Sequence, residues 1–552
     1  MTSSSLRPSS ALVLVRDSAD GPQILLMRRA ERGDQNSGAW VFPGGLLDAA
    51  DAALGPVCAG LDEAACNARL GLPEGGLAWY AAAVRECFEE AGLLLAVDAE
   101  GRPVTGAALQ AAWRTRLHGR ELGLDTLCRE QGFRLALGDL KLFAHIVTPP
   151  GLPKRFDTRF FLAAAPEAQE ATHDGIEMTA HAWLTAAQAV QGEREVRVVG
   201  PVRRLLAQLS RFTSAQEMLD WAAGLGEVPC IRPQLARDAA GRLGPLFPDH
   251  PGWAEARRVD PRGEGIARAQ VTPGEALRLS ERVIRLTAAN PGVMTGPGTN
   301  SYLVGALKTN EWAVIDPGPA DAGHVQALQA AAPGPIRWIL VTHTHLDHSP
   351  GAALLARATG ARVLGRRTPH AQWQDEAFNP VRELHDGERL ALDAGSTLHV
   401  VHTPGHASNH LCYLLEEEAT LFTGDHVMQG STVVINPPDG DMAAYLASLQ
   451  RLRDEFPELQ WLAPGHGFLI AQPPRVWELL LRHRQQREAK LLAALTDEAL
   501  SLDELLPHVY DDVPPTKHRA AERSLLAQLL KLRAEGRVRE VEGAWRLAQA
   551  NA

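Results

Sequence analysis

The stretch ILVTHTHLDHSPG (339–351) places four potential metal donors, His343, His345, Asp347 and His348, within six residues, directly after the apolar run Trp338–Val341. Alternate side chains of an extended segment point to the same side. His343 and His345 can therefore share one ion, while Asp347 and His348, past a bend, face a second. Two ions need more donors, and the chain supplies three, each behind a glycine-marked strand end: His406 in TPGHASNH, Asp425 in FTGDHV and His466 in APGHG. Imidazole and carboxylate suit zinc, with manganese or iron(II) also accommodated, and three protein ligands per ion leave a position for water. Donors spread from residue 343 to residue 466 must meet at one point, which few folds allow.

From about residue 275 to 470 this pattern resembles the metallo-β-lactamase superfamily, with all seven expected donor positions filled. The resemblance implies an αββα sandwich. It also implies a first Zn2+ on His343, His345 and His406, a second on Asp347, His348 and His466, and Asp425 bridging them. Such ions lower the pKa of bound water to about 7 and polarise a carbonyl or phosphoryl oxygen. Asp347 is the expected catalytic residue, orienting that water or passing a proton to the leaving group. Antibiotic-hydrolysing members carry cysteine where Asp425 stands and generally do not use the residue matching His348, so penicillin-type chemistry is not expected. With both ions served, His402, His410 and His426 are expected to be structural.

ERVIRLTAANPGVMTGPGTNSYLVG ahead of the site, GDHVMQGSTVVINPPDGDMAAYLASLQRL within it and the charged helical tail are similar to the lactamase-beta-like-2 branch. That branch includes a single-strand-selective endoribonuclease and ends in a winged-helix-like domain. The first expectation is thus a phosphodiesterase acting on RNA or a nucleotide. A thioesterase like the glyoxalase II relatives, with the same metals, is the alternative. Two features weigh against a broad RNA surface. Only about 40 residues separate Asp425 from His466, too few for an inserted clamping domain. Residues 481–552 carry 12 Lys and Arg against 11 Asp and Glu, which leaves the tail without a strong phosphate-binding face.

In the other half, AAAVRECFEEAGLL (81–94) reads as a helix capped by Gly92. Glu86, Glu89 and Glu90 share one face at i, i+3 and i+4, opposite a stripe of Val84, Cys87, Phe88 and Ala91. Carboxylates this close repel one another, and a divalent cation, Mg2+ or Mn2+ for oxygen donors, relieves the repulsion. With GAWVFPGGLLD (38–48) upstream, the pattern resembles a Nudix box whose opening glycine, Gly45, lies 40 residues before Arg85. The intervening AADAALGPVCAGLDEAACNARLGLPEGG reads as an insertion, tolerable at a turn. It leaves Asp48 and Asp51 as the substitutes for the usual glutamate of the box.

The Nudix resemblance covers about 10–210. It implies a magnesium-dependent diphosphatase with metal on Glu86, Glu89 and Glu90, of which Glu86 and Glu90 are catalytic, and with Arg85 orienting the carboxylates. TPPGLPKRFDTRFFLAAAP (148–166) and DGIEMTAHAWLTAAQAV (174–190) resemble the branch that includes coenzyme A diphosphatases. A non-catalytic binding or oligomerisation module is the alternative for this half.

At 552 residues the chain is expected to hold two to four domains. The division expected is a Nudix-like domain over 1–210, a linker or peripheral segment over 211–270, a metallo-β-lactamase-fold domain over 271–478 and a helical winged-helix-like domain over 479–552. The fold class is α/β multidomain: a Nudix α/β/α sandwich, an αββα sandwich and a small winged-helix-like domain. A net charge of −11 gives no general basic field. The six cysteines are scattered without a CxxC pair, which fits a reducing compartment. With no signal peptide and no long apolar run, a cytoplasmic protein without membrane partners is expected. Its partners are expected to be a small nucleotide or thioester, or single-stranded RNA, with self-association as a further expectation.

Overall fold

A computed structural model of the protein describes residues 5–31, 36–106, 109–191, 197–370, 374–393 and 395–548. The chain forms two compact units, Met1–Leu235 and Ala236–Ala552.

The first unit is built on an eight-stranded sheet. Its main path runs Met178–Thr185, Gln23–Arg29, Leu6–Arg16, Arg155–Ala164, Lys141–Val147 and Cys230–Ile231. Short strands Trp40–Val41 and Gly44–Leu46 pair with Gln23–Arg29 and Leu6–Arg16. The strand alternation sorts the apolar residues onto two faces. Leu12, Leu14, Leu25, Met27 and Phe161 pack with helix Gly76–Ala91. Val13, Val15, Ile24, Leu26 and Leu162 pack with helices Gly200–Leu209 and Ala215–Ala223. The result is the expected α/β/α sandwich.

The segment inserted between Gly45 and Arg85 is a folded element. It forms the 3-10 helix Ala49–Val57, a strand Cys58–Ala59 joined to Arg134–Ala136, and helix Glu63–Leu70. Glu63 accepts hydrogen bonds from the amides of Gly75 (2.6 Å), Gly76 (3.1 Å) and Leu77 (3.2 Å). The insertion thus caps the positive end of the glutamate-bearing helix with a carboxylate.

The second unit contains two sheets packed face to face. One runs Ala276–Arg278, Val283–Thr287, Asn300–Gly305, Trp312–Ile315, Ile336–Leu340, Arg362–Gly365 and Arg382–Glu383. The other runs Arg389–Asp393, Ser396–His402, Leu411–Leu415, Thr420–Gly424, Trp461–Pro464 and Ile470–Ala471. Tyr302, Val304, Ile315 and Leu340 of the first meet Leu398, Val400, Tyr413 and Phe422 of the second. Helices Ala322–Ala331 and Gly351–Thr359 cover the outer face of one sheet. Helices Met442–Glu455 and Pro473–Ala494 cover the other, completing αββα. A smaller core follows, formed by helices Leu502–Val509 and His518–Ala534 with the hairpin Val538–Val541 and Ala544–Leu547.

Two expected boundaries fall inside ordered structure. Of the stretch expected as a linker or peripheral segment, 211–270, helix Ala215–Ala223 packs into the first unit. Helix Trp253–Val259 is tied to the second by a buried ion pair in which both Glu255 oxygens meet Arg285, at 2.6 and 3.0 Å. Glu255 also accepts from the Leu469 amide (2.8 Å). The expected break at 478/479 lies within the single helix Pro473–Ala494. Its first half buries Trp477 and Leu481 under the sandwich, and its second half buries Leu491 in the terminal core. One continuous helix with apolar contacts at both ends therefore joins the two cores.

Removing one partner of a buried pair strands the other charge. Glu255→Ala should cost the second unit about 3–5 kcal/mol, read as a lowered denaturant midpoint, whereas Arg451→Ala on an exposed ion pair should leave it nearly unmoved.

Candidate functional site

In the second unit the loops after four strand ends converge. Residues 342–348 follow Ile336–Leu340, His406 follows Ser396–His402, Asp425 follows Thr420–Gly424 and His466 follows Trp461–Pro464. All seven sequence-predicted donors meet there. His343, His345 and His406 form one group whose donor atoms all lie within 4.8 Å of one another. Asp347, His348 and His466 form another, and His343, His348 and Asp425 join the two. Asp425 faces both sides: its Oδ1 lies 3.3 Å from His466 Nε2 and 3.5 Å from His348 Nε2, and its Oδ2 lies 3.9 Å from His406 Nε2.

The far sides of the rings decide which nitrogens face the centre. His406 Nδ1 donates to the Val434 carbonyl (2.8 Å) and His466 Nδ1 to the Gly298 carbonyl (3.1 Å), since a carbonyl can only accept. His348 Nδ1 donates to Asp316 Oδ2 (2.9 Å). Thr342 Oγ1 donates to the same carboxylate oxygen (2.7 Å) and is left to accept from His343 Nδ1 (3.0 Å). With Nδ1 so engaged, the rings of His343, His348, His406 and His466 each turn Nε2 inward. His343 Nε2 and His406 Nε2 stand only 2.9 and 3.1 Å from His345 Nδ1. Three imidazole nitrogens thus face one another within reach of a shared cation.

The buried His348 Nε2 and Asp425 Oδ1 have no hydrogen-bond partner among the described residues. Gly465 lies so close that a Cβ there would sit 2.5 Å from Asp425 Oδ1 and 2.8 Å from His348. These unsatisfied, inward-facing atoms fit divalent ions, and the mixture of nitrogen and oxygen donors fits zinc.

The electrostatics agree. Burial, reinforced by the His348 and His345 rings, holds His343 well below the ordinary imidazole range. Burial and His406 bring His345 down to about 3. His348 goes the other way: burial lowers it, but Asp347, Asp425 and Asp316 outweigh burial and raise it well above the usual value.

Asp316 was not anticipated. It sits in WAVIDPG at a strand end with φ 53° and accepts from Thr342 N (2.7 Å), Thr342 Oγ1 and His348 Nδ1. The signal available was an acidic residue closing an apolar strand just before Pro-Gly, where an unpaired buried carboxylate would be costly. Thr299 was also missed; its Oγ1 donates to Asp347 Oδ2 (2.9 Å). Of the extra histidines, His402 bonds the Ser408 carbonyl (3.0 Å) and His410 bonds Thr403 (2.9 Å).

In the first unit Glu86, Glu89 and Glu90 fall on one face of helix Gly76–Ala91, bound up differently. Arg85 donates to Glu86 (2.9 Å), Glu89 (3.0 Å), the Leu46 carbonyl (2.8 Å) and both oxygens of Asp51 (2.7 and 3.0 Å). Asp51 is fully buried, while Asp48 caps the 3-10 helix at the surface. Asp51, near the start of the inserted segment, therefore makes the ion pair that fixes Arg85. Glu90 accepts from the Gly44 amide (2.8 Å), and a Cβ on Gly45 would strike the Glu86 carboxylate at 2.5 Å. The turn thus needs glycine there for close approach. Burial, with Glu89 adding to it and Arg85 opposing, raises Glu86 to about 7. Burial and Glu86 raise Glu90 well above the carboxylate range. The three glutamates do not converge as the histidines do; the triads with mutually close donors among the described residues all belong to the second unit.

The described residues include no helix long and apolar enough to cross a membrane. Family models match the NUDT19 Nudix domain over residues 58–201, the metallo-beta-lactamase superfamily over 294–466 and the beta-lactamase associated winged helix domain over 501–545. The lactamase-like protein adaB of Aspergillus niger is 34% identical over 284 residues, 48% of this chain and 84% of that protein. An atrochrysone carboxyl ACP thioesterase of Aspergillus chevalieri is 31% identical over 47% of this chain and 84% of its own. A solved metallo-beta-lactamase family protein of Thermus thermophilus is 26% identical, covering 49% of this chain and 100% of that one with a TM-score of 0.41. The converging histidines and carboxylates, the αββα sandwich around them, the three family-model matches and the likeness to the Aspergillus niger protein make the chain a hydrolase of the metallo-β-lactamase superfamily, with a Nudix domain ahead of the sandwich and a winged helix after it.

Proposed function

We propose that the second unit is a binuclear zinc thioesterase and the first a magnesium-dependent diphosphatase. His343, His345 and His406 hold one ion, Asp347, His348 and His466 the other, and Asp425 lies between them. When bound, such ions supply Lewis acidity and a water acidic enough to act as nucleophile at neutral pH. Asp425 keeps Oδ1 toward His466 and His348 and Oδ2 toward His406, so it would serve both sites. Thr299 pins Asp347 Oδ2, which orients the rest of that carboxylate to receive a proton and return it to the leaving group.

One observation favours a thioester over a phosphodiester. Leu346, between the ligands, is 56% exposed, and Val293 and Met294 are 87% and 49% exposed. The latter two sit at the tip of the loop whose base, Asn290 and Thr299, reaches Asp347. An apolar mouth suits an acyl chain, whereas a polyanion needs cations there. The fungal relative named as an ACP thioesterase supports the same reading.

For the first unit we infer magnesium on Glu86, Glu89 and Glu90, with Asp51 acting through Arg85 to position them. A cation relieves the burial and mutual repulsion that raise Glu86 and Glu90. Acyl-coenzyme A carries both bond types, a thioester and a diphosphate.

Acyl-coenzyme A is therefore the test substrate. His343→Ala should abolish thioester cleavage and leave diphosphate cleavage, and Glu89→Ala the reverse, with products separated by chromatography. Turnover of single-stranded RNA with inert thioesters would overturn the thioesterase reading. Leu346→Ser should raise KM roughly tenfold for long-chain thioesters, with short-chain kinetics unchanged. Glu86 also makes a pH prediction. Its folded pKa of about 7 lies above the ordinary 4.5, so the folded unit holds this proton more tightly than the unfolded chain, and stability falls as pH rises between those values. In EDTA, Glu86→Gln should match wild type near pH 4.5 and exceed it at about pH 8 by up to about 3 kcal/mol, with magnesium narrowing the gap. Equal denaturant midpoints at about pH 8 would sink this account.

A further inference from the structure

We propose that the C-terminal helices form part of the metal centre's scaffold, with Arg484 and Ser524 acting as positioning residues for His406. The inference rests on His406 being a ligand, as proposed above. The acceptor that orients its ring is the Val434 carbonyl (2.8 Å), in a stretch, 431–436, with no helix or strand. No ladder within the stretch fixes that carbonyl, so its place is set from outside. On one side Arg484 Nη2, from helix Pro473–Ala494, donates to the Val433 carbonyl (2.5 Å). On the other, Ser524 Oγ, from helix His518–Ala534, accepts from the Ile435 amide (3.2 Å).

Three consecutive backbone positions are thus held in order by one tail helix, by the metal ligand and by a second tail helix. Both anchoring side chains are buried, and Val433 and Ile435 pack with Trp477, Leu481 and Ala527 of the same helices. One turn beyond Arg484, Arg487 donates to both oxygens of Asp512 (2.6 and 2.9 Å) and to the Val509 carbonyl (2.7 Å), locking the long helix to the terminal domain. The far end of the loop is held from within the sandwich, where Asp439 accepts from Ser408 N (3.1 Å) and Gln374 (2.8 Å). A ligand histidine whose second nitrogen loses its fixed acceptor loses orientation and basicity, and such changes typically cost about 10–100-fold in metal affinity.

The test uses the full chain loaded with zinc or cobalt(II). Ser524→Ala and Arg484→Met should weaken one of the two ions about tenfold in chelator competition and shift the cobalt visible spectrum. Arg484→Lys, which can still donate to Val433, should recover most of the wild-type spectrum. Circular dichroism checks folding, and Ser524→Ala, the milder change, carries the test if Arg484→Met does not fold. Wild-type affinity and spectrum for both ions in a folded Ser524→Ala or Arg484→Met protein would overturn the proposal. His406→Ala should lose the same ion; if it keeps both, the assignment of His406 as a ligand fails instead.

Discussion

Asp316 sits in the left-handed region at the end of a central strand, with its carboxylate turned onto the histidine turn. By accepting from the backbone and hydroxyl of Thr342 and from His348, it fixes where that turn leaves the sheet and which nitrogen of His348 faces inward. Thr342 passes the effect to His343. A buried carboxylate is costly unless its oxygens are bonded, so the chain satisfies it with groups that then become ordered. The donor cluster beyond is the consequence: imidazole nitrogens and carboxylates gathered within reach of a shared cation.

The first unit meets a similar problem with a different device. Its buried carboxylates are gathered by one guanidinium, which spans Glu86, Glu89 and Asp51 in a geometry lysine could not reproduce. In the second unit imidazoles share the burden, and their neutral lone pairs suit transition metals as the oxygen-only face of the first suits magnesium. The chemistry proposed for each half follows from that difference in donors.

Much was legible along the chain. The seven donors of the sandwich stood out because metal-ligand residue types behind strand-like runs and glycines seldom arise without a site to serve. The period of Glu86, Glu89 and Glu90 placed them on one face, which the helix bears out. The missing glutamate was harder, since Asp48 and Asp51 are equivalent by type and proximity. Only burial separates them, and burial depends on how Ala49–Val57 packs against the neighbouring helix. The elements within 211–270 were not legible because Gly, Pro and Arg hide short elements whose stability comes from partners distant in sequence, such as Arg285 for Glu255.

By itself the sequence determined the donor types and their local spacing, because residue type, strand alternation and helical period are local properties. The fold class and the grouping of the donors came from the family resemblance those motifs carry. Tertiary structure alone decided what the donors lean on. Asp316 behind His348, Asp51 behind Arg85, and the tail helices beside the Val434 carbonyl join residues 32, 34 and up to 89 positions apart in the chain. Such pairings carry no periodic signal, since they are fixed by the cost of leaving a buried polar group unpaired once the sheets have closed.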